Sequence, residues 1–143
     1  MVWAVILRRI EIVTELLEHG ADVNALCTNN GQSLLTIAAK LGDMPMCVEL
    51  IEHGADVSHV SYEGFYVLHG GVISRNHELV EYLIHSGSTY APPFKWYTPL
   101  EYAVGLRDAY GNQEFADDCV EVIRVLAEHF PDEAEKLERK GEL

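Results

Sequence analysis

The feature that most constrains the fold of this chain is an internal repeat with a period of 33 or 34 residues. The segment LLEHGADV at 16–23 returns as LIEHGADV at 50–57, and an eroded copy, LIHSGS, occupies 83–88. A fourth and weaker copy, LAEHF, lies at 126–130. A period of this length is typical of a solenoid, in which each unit contacts only its neighbours along the chain. We therefore predict an array of about four stacked units.

A second recurrent element lies between these copies, at 30–35, 63–69 and 96–101. In it, Ser33 and Thr98 are good residues for the N-terminal cap of a helix, and Pro99 suits the first helical position because its missing N–H needs no partner there. Small and apolar residues follow at helical spacing, and a second amphipathic helix then runs to a glycine, such as Gly54 or Gly87. Each unit is thus predicted to be a helix, a turn, a second helix and a glycine stop.

Three short motifs indicate the kind of repeat: GADVN at 20–24, GADVS at 54–58 and TPL at 98–100. With these motifs the chain resembles the ankyrin repeat family over most of its length. The resemblance implies an all-α, ankyrin-repeat solenoid of stacked helix-turn-helix units with short hairpin loops. We place one domain over 1–143, with units at 1–27, 28–60, 61–91 and 92–130 and a C-terminal capping helix at 131–143.

Two units depart from the ankyrin pattern. The third has Gly70 and Gly71 where an apolar residue and an alanine are expected, and each glycine inside a helix costs about 0.5–1 kcal/mol relative to alanine. We expect its first helix to be weaker for this reason. The fourth has extra residues between its two helices, within 107–118, which either prolong the first helix or form a loop around Gly111 and Asn112.

The two ends of the array differ. At the C-terminus, Pro131 can begin a helix in which acidic residues come first and basic residues last, as the helix dipole favours. At the N-terminus, the first helix carries Val2, Trp3, Val5 and Ile6 without its usual N-cap residue. This unit is either an atypical cap, or part of a longer array, or a surface that meets a partner.

Charge and composition narrow the class of partner. The 143 residues include 23 acidic and 10 basic residues, for a formal net charge of −13, so the average field repels nucleic acid and anionic lipid.

No apolar run approaches the roughly 20 residues of a membrane-spanning helix, and the apolar start lacks the basic residues of a signal peptide. The three cysteines are odd in number and widely spaced, which favours a reducing, cytoplasmic location, while the nucleus and delivery as a secreted effector stay open.

The sequence offers no convincing catalytic or metal site. His19, His53 and His129 share one repeat position, so stacked copies are expected about 10 Å apart rather than converging on a metal ion. No signature of a nucleophile and its base surrounds His69, and no glycine-rich loop is followed by the lysine of a phosphate site. We therefore expect no enzyme activity, no cofactor and no bound metal.

Aromatic residues gather in and beside the third and fourth loops. The resemblance implies that the loop tips and the exposed side of the first helices line the concave face with which ankyrin proteins bind their partners. Tyrosine and tryptophan suit such a face because they bury a large area with few rotatable bonds. The competing interpretation is that part of the aromatic cluster packs between repeats. The candidate binding residues are Asn29, Gln32, Lys40, Leu41, His59, Tyr62, Phe65, Ile73, Ser74, Phe94, Trp96 and Tyr97.

From these observations we expect a protein–protein interaction module that binds a partner non-covalently through its concave face and loop tips. The acidic charge favours a partner with a basic patch, since complementary fields raise association rates. We expect a monomer, with association through the apolar N-terminal helix as the alternative. The alternative function is a structural spacer, or a fragment of a longer ankyrin-containing multidomain protein or effector whose activity lies elsewhere.

Overall fold

The chain forms pairs of short helices, as the repeat predicts. The structure is a computed structural model that describes residues 1–90, 97–109 and 113–143, without the side chains of 113 and 114. Its helices are α1 (Val2–Ile6), α2 (Ile10–Glu18), α3 (Leu34–Lys40), α4 (Met44–Glu52), α5 (Val67–Ser74), α6 (His77–His85), α7 (Pro99–Ala109), α8 (Gln113–His129) and α9 (Pro131–Lys140). Across the described residues the regular structure is helical apart from two isolated β-bridges, so the all-α prediction is confirmed.

Two layers of helices make up the stack. The first helices of the pairs, α1, α3, α5 and α7, pack against one another in a row, and we call them the inner helices. The second helices, α2, α4, α6 and α8, each pack against the inner helix of their own pair, and we call them the outer helices. Burying one leucine contributes roughly 1.5–3 kcal/mol, so this core accounts for much of the stability. The leucines that recur once per unit and are fully buried include Leu35, Leu50, Leu68, Leu83, Leu100 and Leu126.

The predicted helix starts are confirmed. The Ser33 hydroxyl caps α3 by accepting a hydrogen bond from the Thr36 N–H at 3.2 Å. At the start of α7, the Glu101 N–H donates to the Thr98 hydroxyl at 3.2 Å and the Thr98 N–H donates to the Glu101 carboxylate at 2.9 Å. This reciprocal arrangement satisfies two N–H groups that a helix terminus leaves unpaired, and Pro99 occupies the first helical position as expected.

The turn between the two helices has a left-handed residue at the same position in three successive units. Gly42 has a φ of +66°, and the equivalent residues Arg8 and Arg75 have φ values of 54° and 57°. Arginine is uncommon in this conformation because its Cβ crowds the backbone. Each arginine contacts the following unit: Arg8 donates to the carbonyl of Leu41 at 2.6 Å, and Arg75 donates to the carboxylate of Asp118 at 3.2 Å. These turns therefore join neighbouring units.

The first two loops between units form hairpins, as predicted. Isolated β-bridges close one hairpin over 26–33 and another over 60–66. The two hairpins are themselves joined, because the Tyr62 N–H donates to the carbonyl of Asn30 at 2.9 Å. A backbone hydrogen bond between units therefore holds these two hairpins together.

A second set of hydrogen bonds joins the segments that follow the outer helices. The side chain of Asn24, the last residue of the GADVN motif, donates to the carbonyl of Gly54 at 3.1 Å and accepts from the Asp56 N–H at 2.8 Å. One unit later, the Ser88 hydroxyl donates to the carbonyl of Val57 at 2.7 Å. Side chains in these segments therefore bond the backbone across the first two boundaries between units.

The glycine pair of the third unit lies inside a complete helix, α5. A Cβ placed on Gly70 would approach the Ala39 Cβ and the Thr36 carbonyl oxygen at 3.0 Å each, and one placed on Gly71 would approach the Val80 Cγ2 at 3.0 Å. These distances are shorter than ordinary contacts, so α5 packs against α3 and α6 more closely than alanine would allow without a shift of its neighbours. Glycine thus lowers the helix propensity of α5, but it also permits the close packing of α5 against its neighbours. The sequence alone did not indicate this second effect.

The extra residues of the fourth unit lengthen both of its helices. Helix α7 runs to Ala109 and α8 begins at Gln113, so most of the segment 107–118 is helical. Helix α7 has 11 residues against eight in α5, so part of the segment prolongs the first helix, as one of the two predicted alternatives held. The other alternative concerned Gly111 and Asn112, which lie outside the described residues.

The two ends of the stack differ, as the sequence indicates. Pro131 opens α9, which lies against α7 and α8 and buries Ala134 and Leu137 there. At the other end, α1 is a helix of five residues, and Trp3 and Leu7 are exposed. Within the described ranges, none of the helices has both the length and the apolar character that crossing a membrane requires.

Candidate protein-binding surface

Two tyrosines of the loops expose most of their surface, Tyr62 at 68% and Tyr97 at 64%. The backbone of each is fixed by a neighbouring unit. The Tyr62 N–H donates to the carbonyl of Asn30 at 2.9 Å, and the Tyr97 carbonyl accepts from the ring of His69 at 2.8 Å. The Tyr62 ring also lies against Gly31, whose Cβ, if present, would be 3.0 Å away. Rings held on a fixed backbone offer a large contact area and lose little entropy on binding.

The buried His69 connects the third unit to the fourth. Its Nδ1 accepts a hydrogen bond from the Tyr66 N–H at 3.0 Å, and its Nε2 donates to the Tyr97 carbonyl at 2.8 Å. These partners require a neutral ring with its proton on Nε2. Burial lowers the pKa of His69, and the hydrogen bond to Tyr97 partly opposes that shift. Because both nitrogens are engaged, the side chain serves as a structural link.

Lys40, at the end of α3, supplies a positive charge on this surface. Its ammonium lies 5.4 Å from the centroid of the Phe65 ring and 3.4 Å from Oε1 of Gln32. Gln32 is only 8% exposed, so it contributes by holding Lys40 rather than by direct contact. The Phe65 ring lies 4.9 Å from that of His69. We call Gln32, Lys40, Phe65, His69 and Tyr97 the His69 cluster.

His59 and Asn29 belong to the hairpins beside this cluster. The half-buried His59 donates from Nε2 to the carbonyl of Gly31 at 2.7 Å, so it holds one hairpin against the next. Asn29 is exposed near the tip of the first hairpin. The structure thus places Asn29 with Tyr62 among the exposed loop residues, and His59 among the residues that order the loops.

The remaining candidates in the described residues lie at the ends of α3 and α5. Leu41 caps α3, and its carbonyl accepts the hydrogen bond from Arg8. Ile73 is half-buried, and the Ser74 hydroxyl donates to the carbonyl of Gly71 at 2.7 Å. The described contacts do not connect these three residues to the His69 cluster. The two further candidates, Phe94 and Trp96, lie outside the described residues.

An open groove of about 520 Å³ adjoins Tyr97. It lies between α7 and α9, where its lining includes Tyr102, Leu106, Leu137 and Lys140. An apolar floor with charged groups at the rim suits a side chain of a bound protein. Sequence reasoning missed this groove, because it depends on the way α9 folds back onto α7.

Sequence reasoning also missed how far the aromatic contacts extend towards the C-terminus. The Tyr90 ring lies 6.3 Å from that of Tyr66 and 4.6 Å from that of Phe130, and its hydroxyl donates to the carboxylate of Glu133. Burial raises the pKa of Tyr90, and the neighbouring carboxylate raises it further. Part of the aromatic cluster thus packs between repeats, as the competing interpretation held.

The histidine that recurs before the glycine stop has a structural use. At the ends of α2, α4 and α8 the Nδ1 of His19, His53 or His129 lies 2.7–2.9 Å from the carbonyl oxygen four residues earlier. Each ring donates to a carbonyl of the last helical turn, and the carbonyls of Glu15 and Glu49 also accept the backbone N–H of the same histidine. Within the part of the chain that the structure describes, no three His, Cys, Asp or Glu side chains form a group that could hold a metal ion.

The three cysteines are free, and burial raises the pKa of each thiol. For Cys47 the pKa rises to about 12, where the carboxylate of Asp43 adds to the effect of burial. The thiolate is the reactive form of cysteine, so thiols shifted in this direction are poor nucleophiles at neutral pH.

The paired helices, the hairpins and the hydrogen bonds between units define a helical repeat protein. A family model described as ankyrin repeats, in three copies, matches residues 1–92, which is more than half of the 143 residues. The chain therefore belongs to the ankyrin repeat family, and the resemblance seen in its motifs is confirmed.

Among solved structures, the chain is similar to the crystal structure of the human ASB11 ankyrin repeat domain. The two share 24% sequence identity with a TM-score of 0.70, over 89% of this chain and 52% of that one. At this identity the likeness shows the fold alone, and the chain spans about half the length of that domain. No curated protein matches the chain in sequence.

Proposed function

We propose that this chain binds a partner protein non-covalently through its inner helices and hairpin loops. Ankyrin repeats are in general protein–protein interaction modules, which supports this class of function. The observation that carries the proposal is the pair of exposed tyrosines, Tyr62 and Tyr97, each fixed through its backbone to a neighbouring unit. Lys40 over Phe65 adds a cation beside an aromatic surface. Together these groups offer the anchors that protein interfaces favour.

The partner we propose carries a basic patch. The outer helices α2, α4 and α6 each hold two or three glutamates and neither lysine nor arginine. These helices lie outside the proposed contact surface, so their field acts on the approach of the partner more than on the final contacts. A rate of association that falls with added salt is the expected signature.

The first experiment is affinity capture from the lysate of the native host. Three baits are compared: the intact chain, the double variant Tyr62→Ala/Tyr97→Ala, and Val120→Ala, which truncates an exposed apolar residue of an outer helix. We expect the affinity of the double variant for the partner to fall at least tenfold, since aromatic anchors often supply more than 1.4 kcal/mol each. The Val120→Ala bait should retain the same partner.

Circular dichroism establishes first that all three baits are folded. If the double variant captures the same protein as strongly as the intact chain, the partner binds elsewhere and the proposal for this surface fails. If Val120→Ala alone loses the partner, the outer helices form the contact instead.

One alternative function has support of its own, a structural spacer in a longer ankyrin-containing protein or effector whose activity lies elsewhere. It is supported by the apolar residues that the first unit exposes, among them Trp3 and Leu7. A folded chain that captures no partner as an isolated domain favours this alternative.

We further propose that the chain works in the cytoplasm and has no catalytic activity of its own. Three free thiols support a reducing compartment. The use of His69 in two structural hydrogen bonds supports a binding role over chemistry at that residue. The ankyrin fold is also typically non-enzymatic.

A further inference from the structure

The glycine at position 105 lies inside α7, where neither packing nor backbone conformation requires it. Glycine lowers the stability of a helix relative to alanine, because its backbone loses more entropy on folding. At Gly70 and Gly71 this cost accompanies close packing, since a Cβ at either position would lie 3.0 Å from a neighbouring atom. A Cβ at Gly105 would have no atom of the described residues within 4 Å, and its φ lies outside the left-handed region. The missing side chain leaves open space instead.

The repeat register places Gly105 on the same side of the stack as the proposed partner-binding surface. Gly105 lies seven residues after Thr98, which immediately precedes α7. Lys40 and Ile73 lie at the same distance from the N-cap residues of α3 and α5. The inner helices of the second and third units thus carry a large side chain at this position, and that of the fourth unit carries none.

The open space at Gly105 belongs to the groove of about 520 Å³ between α7 and α9. Leu106 and Leu137 line the groove with apolar surface, and Tyr102 and Tyr97 line it with aromatic residues. Since Tyr97 is also one of the two exposed tyrosine anchors, the groove continues the proposed partner-binding surface into the fourth unit.

The rim of the groove is acidic. Three acidic residues line it, Glu101, Asp108 and Glu142, against the single ammonium of Lys140. The Lys140 ammonium lies 3.9 Å from the Glu101 carboxylate, and the Asp108 carboxylate accepts a hydrogen bond from Arg107 at 2.8 Å. In the part of the chain that the structure describes, no salt bridge involves the Glu142 carboxylate. The rim therefore keeps a negative charge that favours a cation.

We propose that this groove takes a basic side chain, arginine or lysine, of the bound partner protein. The apolar stem of that side chain lies along the strip that Gly105 leaves open, and its charged end meets the acidic rim. Tyr97 and Tyr102 add aromatic surface, with which cations interact favourably. This inference rests on the proposed function and names the place where a basic residue of the partner binds.

The probe is a library of random linear peptides displayed on phage and selected against the intact chain. We expect the enriched peptides to share an arginine or a lysine. Replacing that residue by glutamine should weaken binding at least about tenfold, as measured by fluorescence anisotropy.

The variant Gly105→Leu fills the open strip and should weaken the binding of the same peptides by a similar factor. Its melting temperature should nevertheless rise by about 2–4 °C, because leucine favours a helix over glycine. A loss of binding with a gain in stability distinguishes a filled groove from a misfolded variant. The matched control is Val120→Leu, which places a leucine at an exposed position of the outer helix α8 and should bind the peptides as tightly as the intact chain.

Three results would overturn the proposal: a selection that enriches no peptides with a shared basic residue, peptides that bind Gly105→Leu as tightly as the intact chain, or an equal loss of binding by Val120→Leu. The variant Tyr62→Ala separates this inference from the proposed function, because Tyr62 does not line the groove. Peptides that need Tyr62 and tolerate Gly105→Leu would reject the groove and leave the proposed surface in place.

Sedimentation velocity of the intact chain and of Gly105→Leu tests for another occupant, a second copy of the chain. We expect the same sedimentation coefficient for both proteins. A dimer that Gly105→Leu dissociates would show that a copy of the chain fills the groove, and that result also overturns the proposal.

Discussion

At the scale of single residues, the stack is joined by side chains that bond the backbone of a neighbouring unit. Asn24 spans the boundary between the first two units, and His69 spans that between the last two. His69 is the more demanding of the two, because one ring nitrogen must accept and the other must donate while the ring is buried. Protonation would place a second donor against the Tyr66 N–H.

The protonation of His69 gives a prediction about pH. The folded chain holds this histidine neutral, with its pKa below the ordinary value of 6.5, whereas the unfolded chain binds the proton near 6.5. The unfolded state therefore binds more protons between the two pKa values, and the free energy of unfolding should fall as the pH drops below about 6.5. Urea unfolding followed by circular dichroism at a series of pH values measures this dependence.

The variant His69→Gln isolates the contribution of this side chain from that of the other histidines. It should lower the free energy of unfolding by roughly 1–3 kcal/mol at neutral pH, because buried hydrogen bonds and ring contacts are lost. Its stability should also decline less steeply than that of the intact chain as the pH falls. Parallel curves for the two proteins would show that His69 is not the group responsible.

At the scale of elements, the close approach of α5 to α3 and α6 explains why one helix contains two adjacent glycines. The sequence indicates only that glycine weakens a helix. It cannot indicate that Gly70 lies against the backbone of α3, because that contact depends on how two units stack. Local propensity and packing between units thus act in opposite directions at this position.

A matched pair of glycine substitutions separates these two effects. Gly70→Ala should destabilise the chain by about 1–3 kcal/mol, because its methyl group would lie 3.0 Å from the Thr36 carbonyl oxygen and force the backbone of α3 to shift. Gly105→Ala, inside α7 with no atom within 4 Å of its Cβ position, should stabilise the chain by about 0.5–1 kcal/mol. Thermal and urea unfolding of both variants gives the comparison. An equal gain in stability from both would mean that α5 does not need glycine.

At the scale of the whole molecule, the architecture was predictable because local sequence signals mark the helices of each repeat. Ser33, Thr98 and Pro99 marked helix starts, and the spacing of the repeated motif gave the order of the units. The candidate surface was less predictable. Gln32 is buried and bonded to Lys40, eight residues later, and Tyr90 is bonded to Glu133, 43 residues later. Such contacts depend on how helices that are distant in sequence pack together, so the period of the sequence repeat does not predict them.

The proposed function requires that the inner-helix and hairpin side of the stack contacts the partner. Site-specific photocrosslinking tests it most directly, with a benzophenone side chain placed in turn at positions 62, 97 and 120. Tyr62 and Tyr97 belong to the proposed surface, and Val120 is the exposed control on an outer helix. We predict that the partner crosslinks from positions 62 and 97 and not from 120. A partner that crosslinks from position 120 and from neither tyrosine position would contradict the account.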